Sequence, residues 1–103
     1  MDKTEAYAIL TEKLSLFLNY TKLLPFVDNK HVEHFQVCGQ YGTLFLVEIH
    51  FLWDPKNTGY IQVSGTVEYA DGVGPVVRLN QALLIPPPPL NCDTLFIPVR
   101  QRA

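Results

Sequence analysis

Thr43 to Trp53, TLFLVEIHFLW, is the longest apolar run in the chain and leaves it few folds to choose from. Phe45, Val47, Ile49, Phe51 and Trp53 alternate with Leu44, Leu46, Glu48, His50 and Leu52. A period of two belongs to a strand, and here it predicts one wholly apolar face and one mixed face. Aromatic and branched side chains at this density suit the interior of a sheet, with partners on both sides.

The flanking stretches supply those partners. His31 to Gly39 alternates as well, with Phe35 and Val37 against His34, Gln36 and Cys38. A three-residue loop with Gly42 in the left-handed position would pair Gly39 with Thr43, Val37 with Phe45 and Phe35 with Val47. A two-residue loop would set Val37 against Leu44 and break the odd-numbered match, so the apolar face selects the longer loop. Beyond the turn residues Asp54 to Gly59, Ile61, Val63, Gly65, Val67 and Tyr69 alternate with Gln62, Ser64, Thr66 and Glu68. Gly65 inside this strand predicts a bulge or a close approach by a bulky helix residue. Asp71-Gly72 and Gly74-Pro75 turn the chain again. Val77, Leu79, Leu83 and Ile85 then keep the odd parity, with Gln81 the exception. Matching the faces places Glu68 opposite Arg78.

Ahead of the strands, Asp2, Thr4 and Glu5 form a helix-start signature, and no Gly or Pro follows until Pro25. Tyr7, Leu10, Leu14, Phe17, Leu18 and Thr21 fall on one stripe, widened by Ile9, Leu16 and Tyr20. Pro25 is expected to end a single helix at about Leu24, leaving Phe26 to Lys30 as a connection. After the last strand, Pro86 to Pro89 cannot donate to a ladder, so the sheet must stop or turn there. Thr94 to Arg100 could add an edge strand, limited by Pro98.

These patterns predict an α+β fold: an N-terminal helix packed on one face of a four-stranded antiparallel meander, then a proline-hinged C-terminal arm or extra edge strand. Residues 1–85 would form the helix-plus-sheet domain and 86–103 its polyproline hinge and arm. This order of elements is similar to that of cystatin-like folds. It is also similar to the front half of ubiquitin-conjugating or RWD-type domains, where a proline-rich stretch follows the sheet. The likeness is one of order alone. No helical pattern follows the prolines and no catalytic-cysteine context is present, so the likeness implies an arrangement and no activity.

Composition narrows the partners. Only 17% of residues are charged, against about 25% in typical domains, so the chain must bury much of itself or cover apolar surface with a partner. A formal charge of −2 gives no electrostatic footprint for nucleic acid, and stacking of single strands on surface aromatics is disfavoured by the same balance. Cys38 and Cys92 match no redox or zinc spacing and read as thiols in a reducing compartment. Met1 to Ala8 is charged and polar, unlike a secretory signal, and no apolar run nears the ~20 residues of a membrane helix. A cytoplasmic protein without membrane contact is expected.

The even-numbered face gathers the polar candidates. His34 should lie opposite Glu48, Glu48 opposite Thr66 and Thr66 opposite Asn80, with His50 and Ser64 in the next row. A histidine beside a carboxylate can act as a general base, but no activated nucleophile, second carboxylate or oxyanion loop accompanies it. No catalytic residue is expected. His31 and His34 point to opposite faces of a strand, and His34 and Cys38 stand about 13 Å apart at ~3.3 Å per residue, so neither a metal nor another cofactor is expected. Gly72-Val73-Gly74 precedes no helix and reads as a hairpin turn rather than a phosphate loop.

Leu44, Leu46, Leu52, Val76 and Leu84 share the even face, interrupted by Glu48 and His50, and exceed what one helix on the other side can cover. The chain therefore reads as a small non-catalytic protein–protein interaction module. It would form a homo-oligomer through Leu46, His50, Leu52, Val76 and Leu84, joined by Leu95, Phe96 and Ile97 of the arm. The alternative is a small-molecule binding protein or weak enzyme, with a pocket between helix and sheet lined by Tyr7, Trp53, Tyr60 and Tyr69.

Overall fold

A computed structural model of the chain describes residues 3–70, 72 and 74–89. Two helices, α1 (Lys3–Leu14) and α2 (Tyr20–Asp28), precede four strands. These are β1 (Val32–Cys38), β2 (Leu44–Trp53), β3 (Ile61–Tyr69) and β4 (Val77–Ile85). The strands form one antiparallel sheet in the order β1-β2-β3-β4, each paired with its neighbour in sequence. Both helices pack on the same side, α1 over β2, β3 and β4 and α2 over β2 and β3. No helix among the described residues is long and apolar enough to cross a membrane.

The parity argument for the sheet holds in register and, apart from Trp53, exposed at the end of β2, in which face is buried. Val37 pairs with Phe45 and Phe35 with Val47, while Gly39 N–H donates to the Thr43 carbonyl at 2.7 Å and Gly42 takes φ +85°. On the odd face Phe45, Val47, Ile49, Phe51, Ile61, Val63, Val67 and Tyr69 are buried, joined by Leu79 and Ile85 of β4. Gln81, the polar exception, receives the Thr11 hydroxyl of α1 at 3.1 Å, so it meets the helix through a hydrogen bond instead of a packed methyl. Gly65 makes the close approach: a Cβ there would stand 2.8 Å from Leu10 Cδ1 and 3.0 Å from Leu14 Cδ2. The ladder runs straight through Ile49, Gly65 and Gln81, so no bulge is needed.

The expected single helix is two, and the interruption has local causes. The Ser15 hydroxyl donates to the Glu12 carbonyl at 2.6 Å, competing with the helical ladder. Leu16 and Phe17 close back on Lys13 and Leu14, three residues away, instead of four. Asn19 then starts α2 as its N-cap, its side-chain oxygen accepting from Lys22 N–H at 3.3 Å. The buried line of α1 is Ala6, Leu10 and Leu14, so Tyr7 lies off the core-facing stripe and is 43% exposed.

Pro25 sits inside α2 rather than ending it, and residues 26–28, expected in a connection, are helical. The true stop is a left-handed residue. Lys30 has φ +52°, its N–H donates to the Val27 carbonyl, and the His31 N–H reaches back to Phe26 at 2.9 Å. This is the double closure of a Schellman motif with lysine where glycine is usual. The side-chain contact that goes with such a stop is present too, because the His31 and Phe26 rings stack at 4.7 Å. Phe17, Phe26 and Phe51 gather beside them, with ring separations of 5.0 and 5.1 Å to Phe51.

Two long-range hydrogen bonds pin the helices to the hairpin turns. The Glu5 carboxylate accepts from Gln40 N–H at 2.6 Å at the β1–β2 turn, and the Tyr20 hydroxyl donates to the Gly59 carbonyl at 2.7 Å at the β2–β3 turn. That second turn is shaped by Asp54, whose carboxylate accepts from Asn57 N–H at 2.7 Å and Lys56 N–H at 3.1 Å. The strand or arm expected over Thr94–Arg100 lies outside the described residues.

Two substitutions test this packing. Gly65→Val forces side-chain bulk into filled space and should lower stability by roughly 1–3 kcal/mol in urea denaturation. Lys30→Gly relieves a left-handed L-residue and should raise it by about 0.5–1 kcal/mol in the same assay.

Candidate functional site: the outer sheet face

Because both helices occupy the odd side, the even side of the sheet is the one on which a site can be read. The ladder arranges it in rows. His34, Glu48, Thr66 and Asn80 form one, Gln36, Leu46, Glu68 and Arg78 the next on one side, and Val32, His50, Ser64 and Ala82 the next on the other. Beyond these rows lie Cys38 and Leu44 at one end and Leu52, Gln62 and Leu84 at the other. A polar belt thus crosses the middle of the sheet, with leucines toward both ends.

The belt is internally paired. A carboxylate can only accept, so His50 Nε2–H donates to Glu48 Oε1, at 2.7 Å. His34 Nδ1 lies 3.7 Å from the other oxygen of the same carboxylate. One strand over, the Thr66 hydroxyl donates to Asn80 Oδ1 at 2.9 Å. Arg78 Nε donates to Glu68 Oε2 at 2.7 Å, with a second contact from its Nη2. The hydrogen bond from His50 holds the Glu48 carboxyl below its ordinary value of 4.5; the charges of His50, His34 and Arg78 act the same way, and partial desolvation opposes them. A shallow hollow of about 320 Å³ runs across the belt between His34, Gln36, Leu46, Glu48, Glu68 and Arg78.

The chemical capacity of this arrangement is limited by where it sits. Glu48 and His50 lie in β2, between β1 and β3, where backbone donors are committed to the ladder. In β2 itself none is left over to stabilise an oxyanion beside Glu48 or His50. The face therefore offers side chains alone, on a surface open to water. Among the described residues no group of three or more His, Cys, Asp or Glu side chains is placed to hold a metal ion. His31 faces the opposite side from His34, stacked on Phe26 and in contact with Glu33, and Cys38 is exposed with a free thiol.

The interface candidates divide clearly. Leu46, Leu52 and Leu84 are 43%, 39% and 46% exposed, Val76 lies just before β4 and is exposed, and His50 is half-buried between the leucine-bearing ends. Leu44, 52% exposed, belongs with them, and together with Leu46, Ala70 and Val76 it lines a second hollow of about 310 Å³. Leu95, Phe96 and Ile97 lie outside the described residues.

The four pocket candidates do not converge. Trp53 pairs with Ile61 at one end of β3 and Tyr69 stands at the other, separated along its nine residues by about 26 Å at roughly 3.3 Å per residue. Tyr69 is buried with its ring 5.0 Å from Phe45, Tyr60 is half-buried beside the β2–β3 turn, and Tyr7 and Trp53 are largely exposed. Between α1 and β3 the space over Gly65 is taken by Leu10 and Leu14.

Comparison with protein-family models, with curated proteins and with solved structures finds no match to this chain.

The Glu48 network makes a direct prediction. A folded value below the unfolded one means that ionised Glu48 adds stability above about pH 4.5, which is lost as the pH falls through the lower folded value. Carboxyl-resolved NMR titration should place Glu48 below the ordinary value, and His50→Ala should move it upward.

Proposed function

We propose that this chain is a non-catalytic interaction module that associates with a second copy of itself through the even-numbered face of its sheet. The observation that carries this reading is one-sided packing. Both helices cover the odd face, while Leu44, Leu46, Leu52 and Leu84 remain between 39% and 52% exposed on the other. Half-exposed leucines toward both ends of a four-stranded platform are what an interface between sheets requires.

The pattern also favours a copy of the chain over an unrelated partner. Leucines toward both ends and a belt of mixed charge between them form a layout that matches itself. A two-fold axis in the plane of the face, running either along or across the strands, brings leucine ends onto leucine ends and belt onto belt. Packed sheets of this kind meet about 10 Å apart with interleaved side chains. The charge balance of −2 per chain is small enough not to oppose association strongly.

Sedimentation equilibrium at about 100 µM and about pH 6 should give the mass of a dimer. Leu46→Gln combined with Leu84→Gln removes two apolar anchors, each worth roughly 1.5–3 kcal/mol when fully buried, and should weaken association at least ten-fold without altering the circular dichroism spectrum. A monomer at that concentration, or a double variant that associates as the parent does, would overturn the reading.

A further inference from the structure

The belt that crosses the middle of the outer face has a charge problem that its own residues can solve. Among the described residues of one copy it carries the carboxylates of Glu48 from β2 and Glu68 from β3, against the guanidinium of Arg78 from β4. Neutral groups complete it: Thr66 on β3 and Asn80 on β4, bonded to each other, and Gln36 on β1. With both imidazoles uncharged, each belt has one negative charge in excess. Arg78 is committed to Glu68, so the uncompensated carboxylate is Glu48. It lies in the central row, where a two-fold axis through the face brings it near its own image.

Exposed to water, that excess costs little. Pressed against a second belt and stripped of water, two like charges repel and lose solvation together. The remedy lies beside Glu48 on both sides. His50 Nε2 is 2.7 Å from one carboxylate oxygen and His34 Nδ1 is 3.7 Å from the other. Histidine side chains take up a proton near pH 6.5, and either ring in its charged form would neutralise the belt from within. Both described helices pack on the opposite face, so neither adds a charge here. The third histidine, His31, is turned to that other side against Phe26 and Phe51.

From this cluster we infer that association of the chain with itself is driven by mild acid: each copy takes up about one proton on the His34–Glu48–His50 group as the two faces close. This inference rests on the self-association proposed above. The opposite limit follows from the same count. When both imidazoles on each copy are charged, the belts become positive and repel again, so association should be strongest close to pH 6 and weaken on either side.

The experiment is a sedimentation series on the full chain at pH 8, 7, 6 and 5 and constant ionic strength. It is run for the parent, for His34→Gln with His50→Gln, and for Glu48→Gln. The parent should dimerise at least ten-fold more tightly at pH 6 than at pH 8. The histidine double variant should lose that dependence, and Glu48→Gln should dimerise at pH 8 about as well as the parent does at pH 6. All the substituted side chains face solvent, at least in part, so the fold is expected to survive, with circular dichroism as the check. A parent dimer whose dissociation constant does not change between pH 8 and pH 6, or changes equally in the histidine double variant, overturns the acid coupling and leaves the dimer standing. A chain that stays monomeric at every pH overturns both.

Discussion

The contact between α1 and the bare backbone at Gly65 sets the depth of the whole fold. Leu10 and Leu14 come so close to β3 that no side chain fits beneath them. This proximity lets one short helix reach β2, β3 and β4 together, while α2 covers β2 and β3 beside it. A dry interior gains roughly 25 cal/mol for each Å² of apolar surface removed from water, and that gain grows only if the layers meet without gaps. The ties at the periphery, from Glu5 to Gln40 and from Tyr20 to Gly59, are single hydrogen bonds. They fix where the helices lie along the sheet more than they hold them there.

Much of the sheet was legible because alternation, turn chemistry and parity all gave the same answer. Phe35, Val37, Phe45 and Val47 admit one register that keeps them together, and Gly42 supplies the loop that register needs. The helices were less legible, for reasons visible in particular residues. Ser15 and Asn19 interrupt a stretch whose apolar spacing alone suits a continuous helix, and Asn19 is a start signal that spacing does not weigh. Pro25 looked like a terminus because proline disfavours a helical predecessor, yet Leu23 and Val27, buried on either side of it, hold the helix through. Lys30 carries no local mark of a left-handed stop. That conformation accompanies the stacked rings of Phe26 and His31, which pack together on Phe51 of β2, a tertiary contact.

The candidate site shows the same division. Which side chains share a row of the outer face is a matter of register, so His34 beside Glu48 and Glu68 beside Arg78 could be read from parity. What could not be read is the hydrogen bond that His50 makes to Glu48. His50 lies two residues along the same strand, and only rotamer and neighbours decide whether it leans toward the carboxylate or away. The aromatic residues that suggested a pocket failed to meet for a related reason: spacing assigns a face, but position along β3 keeps Trp53 and Tyr69 at opposite ends.

Each strand is bonded to the one that precedes or follows it in the chain, so every ladder can grow outward from its own turn without waiting for distant segments to meet. Short loops cost little entropy to close, and topologies of low contact order form quickly. The helices are different, since α1 must come to rest on β3 and β4, across most of the described length. This connectivity favours a sheet that forms ahead of helix docking, in which case the apolar odd face stands open until α1 and α2 settle on it.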